Sequence, residues 1–111
     1  MIELEKIIED LEQMKLYPQM FIHPTTPENL ATYFHGFERG VLFSQNLMTF
    51  SDFIHAYQFA IRNRKLKPTS LNPYRQLREK GMSEEDIIQE MIELEMEMFR
   101  MLKKWENEKQ S

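Results

Sequence analysis

Two acid and histidine pairs are the first residues in this sequence to test for chemistry. His35 precedes Glu38 by three residues, and Asp52 precedes His55 by three. Side chains at this spacing share one side of a helix, and helical bundles use such pairs to bind metal ions. In both pairs, however, the side chains fall mainly away from the apolar stripe of the helix, and no further helix supplies bridging carboxylates. We therefore predict solvated histidines and no metal site.

The sequence also contains no motif for nucleophilic catalysis or for phosphate binding. The sequence contains no cysteine, which excludes a thiolate nucleophile, disulfides and cysteine-bound metals. No serine lies between glycines in a tight turn, as an activated serine nucleophile would require. Gly36 and Gly40 fall inside a predicted helix rather than in a phosphate-binding loop. We predict no catalytic residue, no cofactor-binding residue and no enzymatic activity.

Four acidic side chains form a row on the last predicted helix. Asp86, Glu90, Glu93 and Glu97 lie within about 60° of one another on a helical wheel, and we call them the acidic row. Like charges four residues apart destabilise a helix by a few tenths of a kcal/mol per pair, so something should offset them. Either the basic part of this chain pairs with them, or they bind a cationic partner such as a nuclease or toxin. We predict the acidic row as part of a partner-binding site.

Two residues do not fit the pattern of their helices. Phe59 lies opposite the apolar stripe of its helix, on the side of Asp52 and His55, and an aromatic ring on a polar side often marks an interface. We therefore add these three residues to the predicted partner-binding site. Glu95 lies inside the apolar arc of the last helix. If it is buried, it must pair with a cation such as Arg39 or Arg75, or be protonated.

Charge is distributed unevenly along the chain. The formal net charge is −4, yet residues 41–81 carry seven cationic and two acidic side chains, while both ends are acidic. Either the basic middle docks against the acidic ends, or it selects a charged partner. The segment 62–80 also carries Tyr74, which could stack on a base. It supports an alternative function as a nucleic-acid-associated regulator, although an acidic chain repels polyanions and makes nucleic acid an unlikely partner.

Apolar periodicity and capping residues predict the elements that position these side chains. Ile2–Leu16 forms an amphipathic helix that Pro18 ends, and QMFIHPTT then reads as extended. A second helix begins at Pro27 after the capping hydroxyl of Thr26, and its two glycines should admit a crossing helix. Its predicted core face consists of Leu30, Tyr33, Phe34, Phe37 and Val41.

Three further helices complete the prediction. Thr49 or Ser51 caps a third helix that ends near Arg64, and a loop with two prolines follows. A short helix then runs from Pro73 until Gly81 stops it. The last helix extends from about Glu84 to Lys104 or beyond. Its apolar residues span about half the circumference, so it is either the central helix of a bundle or half of a dimer interface.

Length and composition limit the architecture to one small domain. The 111 residues include 41% hydrophobic residues and only three glycines, which is typical of one well-packed core. The N-terminus mixes acidic with apolar residues, unlike a signal peptide, and no run of about 18 apolar residues could span a membrane. We predict a single all-α domain over residues 1–111, a bundle of four main helices plus one short helix, located in the cytoplasm.

The first 60 residues resemble a family of small bacterial proteins. The shared features are an amphipathic first helix, a Tyr-Pro-x-Met-Phe-Ile turn, an aromatic followed by Gly-Phe, and a downstream Phe-x-x-Phe helix. The matching residues are Tyr17, Pro18, Met20, Phe21, Ile22, Leu30, Phe34, Gly36, Phe37, Phe50 and Phe53. This pattern resembles all-helical immunity-type proteins found beside polymorphic toxins. The resemblance implies an inhibitor that binds and neutralises a toxin or effector, rather than an enzyme.

Overall fold

The computed structural model describes residues 3–44, 49–67 and 73–110. Its five α-helices and one 3₁₀ turn contain most of these residues, and no strand occurs among them. The elements in order are α1 (Leu4–Leu16), the 3₁₀ turn Pro18–Met20, α2 (Pro27–Ser44), α3 (Phe50–Asn63), α4 (Pro73–Glu79) and α5 (Glu84–Gln110). The predicted all-α class, with four main helices and one short helix, is confirmed.

Helix α5 is the centre of the bundle. Helices α1, α2, α3 and α4 all pack against it, and its apolar residues are buried on more than one side. Ile87, Ile92, Met98 and Phe99 are fully buried. Of the two explanations for the wide apolar arc, the central helix is therefore the correct one. The arc is covered within the chain, so it no longer argues for a homodimer.

Helix α1 supplies one side of this core. Its predicted stripe is buried, and the helix lies along α5. It begins at Leu4, and it ends at Leu16, two residues before Pro18, as predicted. The predicted start at Ile2 lies outside the described residues.

The corner between α1 and α2 differs from the expected extended segment. Residues Pro18–Met20 form a 3₁₀ turn, and the His23–Pro24 peptide bond is cis. Only Ile22 of its apolar residues enters the core, whereas Met20 and Phe21 are exposed. The apolar residues of this corner were expected to close one end of the core, and this expectation is wrong for Met20 and Phe21, because the turn directs them to solvent.

Helix α2 begins where its capping signal predicts. The Thr26 hydroxyl accepts a hydrogen bond from the Asn29 backbone amide at 3.1 Å, and Pro27 occupies the first helical position. Two expectations for this helix are wrong. A Cβ added at Gly36 or Gly40 would meet no atom within 4 Å, so no helix crosses there. Tyr33 is 37% exposed and belongs to the edge of the core face rather than its centre.

Helices α3, α4 and α5 also follow their local signals. Thr49 caps α3 through a reciprocal capping box with Asp52. The chain leaves α3 through Lys65, which adopts a left-handed conformation with φ of 58°. Gly81, with φ of 85°, follows α4, and the Ser83 hydroxyl accepts a hydrogen bond from the Asp86 amide at 3.2 Å to start α5. Helix α5 extends to Gln110, in agreement with the predicted end at Lys104 or beyond.

None of the described helices is both long and apolar enough to cross a membrane.

Candidate functional site

A cleft of about 760 Å³ opens between α2 and α3. In the described part of the chain, both helices make their main contacts with α5, so they diverge above it and leave a space between them. Helix α5 forms the floor, and the start of α4 closes one end. The lining is mainly apolar and aromatic, and includes Phe34, Phe50, Phe53, Ile54, Tyr57 and Tyr74. This size and lining are typical of small-molecule sites, which run from about 300 to 1,000 Å³.

Two carboxyl groups meet in this cleft. Glu38 comes from α2 and Glu95 from α5, and their side chains share a hydrogen bond. Glu95 is only 2% exposed, and Glu38 is half-buried. Two carboxyl groups can share a hydrogen bond only if one of them holds a proton. The pair therefore carries one proton and one negative charge rather than two charges.

Burial and mutual repulsion explain the protonation of the pair. Burial raises the pKa of Glu95 well above its usual value of 4.5, and the neighbouring Glu38 raises it further. Burial also raises the pKa of Glu38, although the hydrogen bond with Glu95 and the charge of His35 act in the opposite direction. We assign the proton to Glu95, since it is the more deeply buried of the two.

Tyr57 of α3 lies beside the carboxyl pair. Burial raises the pKa of its phenol, and the negative charges of Glu38 and Glu95 raise it further. Tyr57 is therefore a neutral hydroxyl at physiological pH. It adds a polar group and an aromatic face to the cleft next to the acids.

No arginine or lysine among the described residues acts on the carboxyl pair, although the charge of His35 acts on Glu38. The expected partners of Glu95, Arg39 and Arg75, are both exposed, and neither is among the groups that shift its pKa. The expectation of an arginine partner is therefore wrong, whereas the alternative of protonation agrees with the raised pKa. One oxygen of Glu95, Oε2, is buried and has no hydrogen-bond partner in the described part of the structure.

The histidines form no metal site in the residues that the structure describes. His35 and His55 are exposed, and His35 lies at the cleft. Across residues 3–44, 49–67 and 73–110, no three histidine, aspartate or glutamate side chains come together as a metal ion requires.

The acidic row is partly neutralised within the chain. Lys15 of α1 forms an ion pair with Glu93, and this pair lowers the pKa of Glu93. Arg64, at the end of α3, lies 3.0 Å from Glu90 and 2.8 Å from Glu97. The first explanation for the row, pairing with this chain's own cations, thus accounts for three of its four members. Asp86 is exposed in the first turn of α5.

One residue of each predicted partner-binding group, Phe59 of α3 and Glu97 of the acidic row, lies on a common surface, linked through Asn63. Phe59 is 43% exposed on α3, and Asn63, one turn further along, donates a hydrogen bond to Glu97 of the acidic row. We call this surface, formed by Phe59, Asn63 and the acidic row, the α3–α5 face. His55 is exposed on α3 near Phe59, whereas Asp52 is engaged in the capping box. Assignment of these residues to a partner stays a prediction.

Two of the seven cationic residues of the basic segment 62–80, Arg64 and Arg78, are engaged in the chain's own contacts. Arg64 pairs with the acidic row, and Arg78 bridges Glu28 at 2.9 Å and Glu84 at 2.6 Å. Arg78 also lies over the Tyr74 ring, 5.3 Å from its centroid. These contacts agree with docking of the basic middle against the acidic ends. They leave fewer cations for a nucleic acid, and the predicted loop residues 68–72 lie outside the described residues.

Comparison of the chain with models of protein families, with curated proteins and with solved structures gives no match. The resemblance to immunity-type proteins therefore stays a prediction.

Sequence reasoning identified one half of the carboxyl pair and missed the other. Glu95 was recognisable because it interrupts an apolar arc. Glu38 sits at the edge of the core face of α2, where an acid is ordinary, and its only signal was the pairing with His35. The cleft itself arises from the divergence of α2 and α3, which no local pattern encodes.

Proposed function

We propose that this protein is a non-catalytic binding module that recognises another protein through the α3–α5 face. The immunity-type resemblance makes the neutralisation of a toxin or effector the most concrete form of this function. The partner would present a cationic surface with a cavity for an aromatic ring. The observation that carries the proposal is the exposure of Phe59 beside the acidic row.

Physical arguments support this surface as an interface. Burial of an exposed phenylalanine against a partner contributes favourably to the free energy of binding. Aromatic anchors surrounded by polar residues dominate the binding energy of many interfaces. Around it, the acidic row supplies four acids, against the two cations Lys15 and Arg64 that pair with them. The remaining negative charge would speed association with a cationic partner.

The test measures binding to the protein encoded by the adjacent gene, by isothermal titration calorimetry. Phe59→Ala should weaken binding by about tenfold or more, since the anchor is lost. Phe21→Ala removes a ring of similar exposure, 39%, from the corner before α2 and serves as the matched control. Higher salt should slow association. Equal affinities for wild type and Phe59→Ala would refute the assignment of this surface.

A further inference from the structure

We propose that the cleft between α2 and α3 binds a small organic cation, an amine or guanidine on an apolar body, with its charged group held by Glu38 and Glu95. The site differs from the α3–α5 face, because its lining comes from the sides of α2 and α3 that flank the cleft. The inference does not depend on the proposed function.

The first argument is the buried carboxyl oxygen of Glu95 that has no hydrogen-bond partner among the described residues. A buried carboxyl oxygen without a hydrogen-bond donor costs free energy, and proteins rarely leave such an atom unless something else satisfies it. Glu95 Oε2 is such an atom, and it belongs to a residue that lines the cleft. An ammonium or guanidinium group supplies the missing donors and the missing positive charge together.

The second argument is the composition of the walls. Aromatic rings of Phe34, Phe53, Tyr57 and Tyr74 line the same cleft as the carboxyl pair, and Tyr57 lies beside the pair. Aromatic faces attract cations, and combinations of rings and acids are how proteins recognise organic ammonium groups. The apolar surface also favours a ligand with a hydrophobic body, whereas a hydrated inorganic ion would gain nothing from it.

The third argument is that the described residues bring no arginine or lysine to the pair, although the charge of His35 acts on Glu38. The segments 45–48 and 68–72, which follow α2 and precede α4, contain no charged residue. Arg39 lines the cleft but is exposed, and Arg78 is held by Glu28 and Glu84. The described residues thus leave the carboxyl pair to a cation from outside.

Binding of such a cation is coupled to loss of the shared proton. The ligand's charge favours the doubly ionised pair, so the proton leaves to solvent as the cation binds. The groups around the pair are His35 and Arg39 from α2, Tyr57 from α3, Tyr74 from α4 and Glu28 at the start of α2. The hydrogen bond from Arg78 lowers the pKa of Glu28 and favours its ionised form. Affinity should therefore rise with pH while the pair still holds its proton.

The experiment uses 4-phenylbutylamine as the probe and 4-phenylbutanol as its neutral analogue. Two-dimensional NMR of the full chain would follow the backbone amides of α2, α3 and α5 during titration. The amine should bind at least about tenfold more tightly than the alcohol, and its shifts should concentrate around Glu38, Tyr57 and Glu95. Calorimetry in buffers of different ionisation enthalpy should detect proton release.

Matched variants separate the carboxyl pair from the apolar walls. Glu95→Gln and Glu38→Gln should each weaken amine binding about tenfold and leave alcohol binding unchanged. Glu106→Gln, at the far end of α5 and outside the cleft, is the control and should change neither. Phe59→Ala should also leave amine binding unchanged, which keeps this test separate from that of the proposed function. Equal binding of amine and alcohol, or shifts located elsewhere, would overturn the proposal.

Discussion

At the scale of single residues, Glu95 is the side chain whose environment conflicts most with its chemistry. It occupies an apolar position on the central helix, yet it carries an ionisable group beside a second carboxyl. A hydrophobic residue of similar volume would pack there without a desolvation cost. Glu95 therefore places an ionisable carboxyl group at the boundary between the core and the cleft.

The raised pKa of Glu95 makes a specific prediction about stability and pH. The folded protein keeps a proton on Glu95 at pH values where the unfolded chain has lost it. Folding then takes up a proton, so the free energy of unfolding should fall as pH rises from about 4.5 to the pKa in the folded state. The contribution of one such group approaches about 1.4 kcal/mol per pH unit in that range. Glu95→Gln should remove this slope and be more stable than the wild type near pH 7.

Urea unfolding between pH 5 and 8 would measure this effect. Glu93, whose pKa is lowered by Lys15, contributes the opposite dependence, but only below its usual value of 4.5 and outside this range. Glu9→Gln, an exposed change on α1, is the control and should keep the wild-type slope. Parallel curves for the wild type and Glu95→Gln would show that Glu95 is ionised in the folded protein.

At the scale of helices, the ends were predictable and the packing was not. Thr26, Thr49 and Ser83 cap the helices that their positions predicted, because a cap is a contact within a few residues. Gly36 and Gly40 led to a wrong prediction, since their meaning depends on how α2 crosses its neighbours. A glycine in a helix indicates a close approach only when another element is present, and the sequence does not show which elements meet.

The open surroundings of these glycines predict that alanine will stabilise α2. Gly36→Ala and Gly40→Ala place a Cβ where no atom lies within 4 Å, so each should raise the free energy of unfolding by up to about 1 kcal/mol. Gly81→Ala is the matched contrast. A Cβ added at Gly81 also meets no atom within 4 Å, but φ of 85° strains an alanine backbone. Gly81→Ala should therefore lower the free energy of unfolding by about 1 kcal/mol. Thermal unfolding of the three variants would measure these changes in stability. Destabilisation by Gly36→Ala would contradict the open surroundings of Gly36 and indicate a contact at that position.

At the scale of the whole molecule, two features emerge that no single helix encodes. One is the cleft, which exists because α2 and α3 both pack on α5 and diverge from each other. The other is charge compensation between distant segments, which places Arg64 and Lys15 against the acidic row. The sequence has a basic middle segment between two acidic ends, and this pattern indicated that the middle could dock against the ends. The charge pattern could not show which cation would pair with which acid. It did not predict the ion pair between Lys15 of α1 and Glu93.

Arg64 provides the test of charge compensation, because it joins the end of α3 to α5. Its side chain is 18% exposed and lies against both Glu90 and Glu97, so its charge is less screened than that of a typical surface residue. Removing it leaves Glu90 and Glu97, seven positions apart on α5, without their cation, in addition to the repulsion along the row. Arg64→Gln should therefore lower the free energy of unfolding by about 1 kcal/mol at low salt, and by less in 1 M NaCl. Arg62→Gln, an exposed change two residues earlier, should stay within about 0.5 kcal/mol of wild type. If the two variants behave alike at every salt concentration, the ion pairs of Arg64 with Glu90 and Glu97 do not stabilise the bundle.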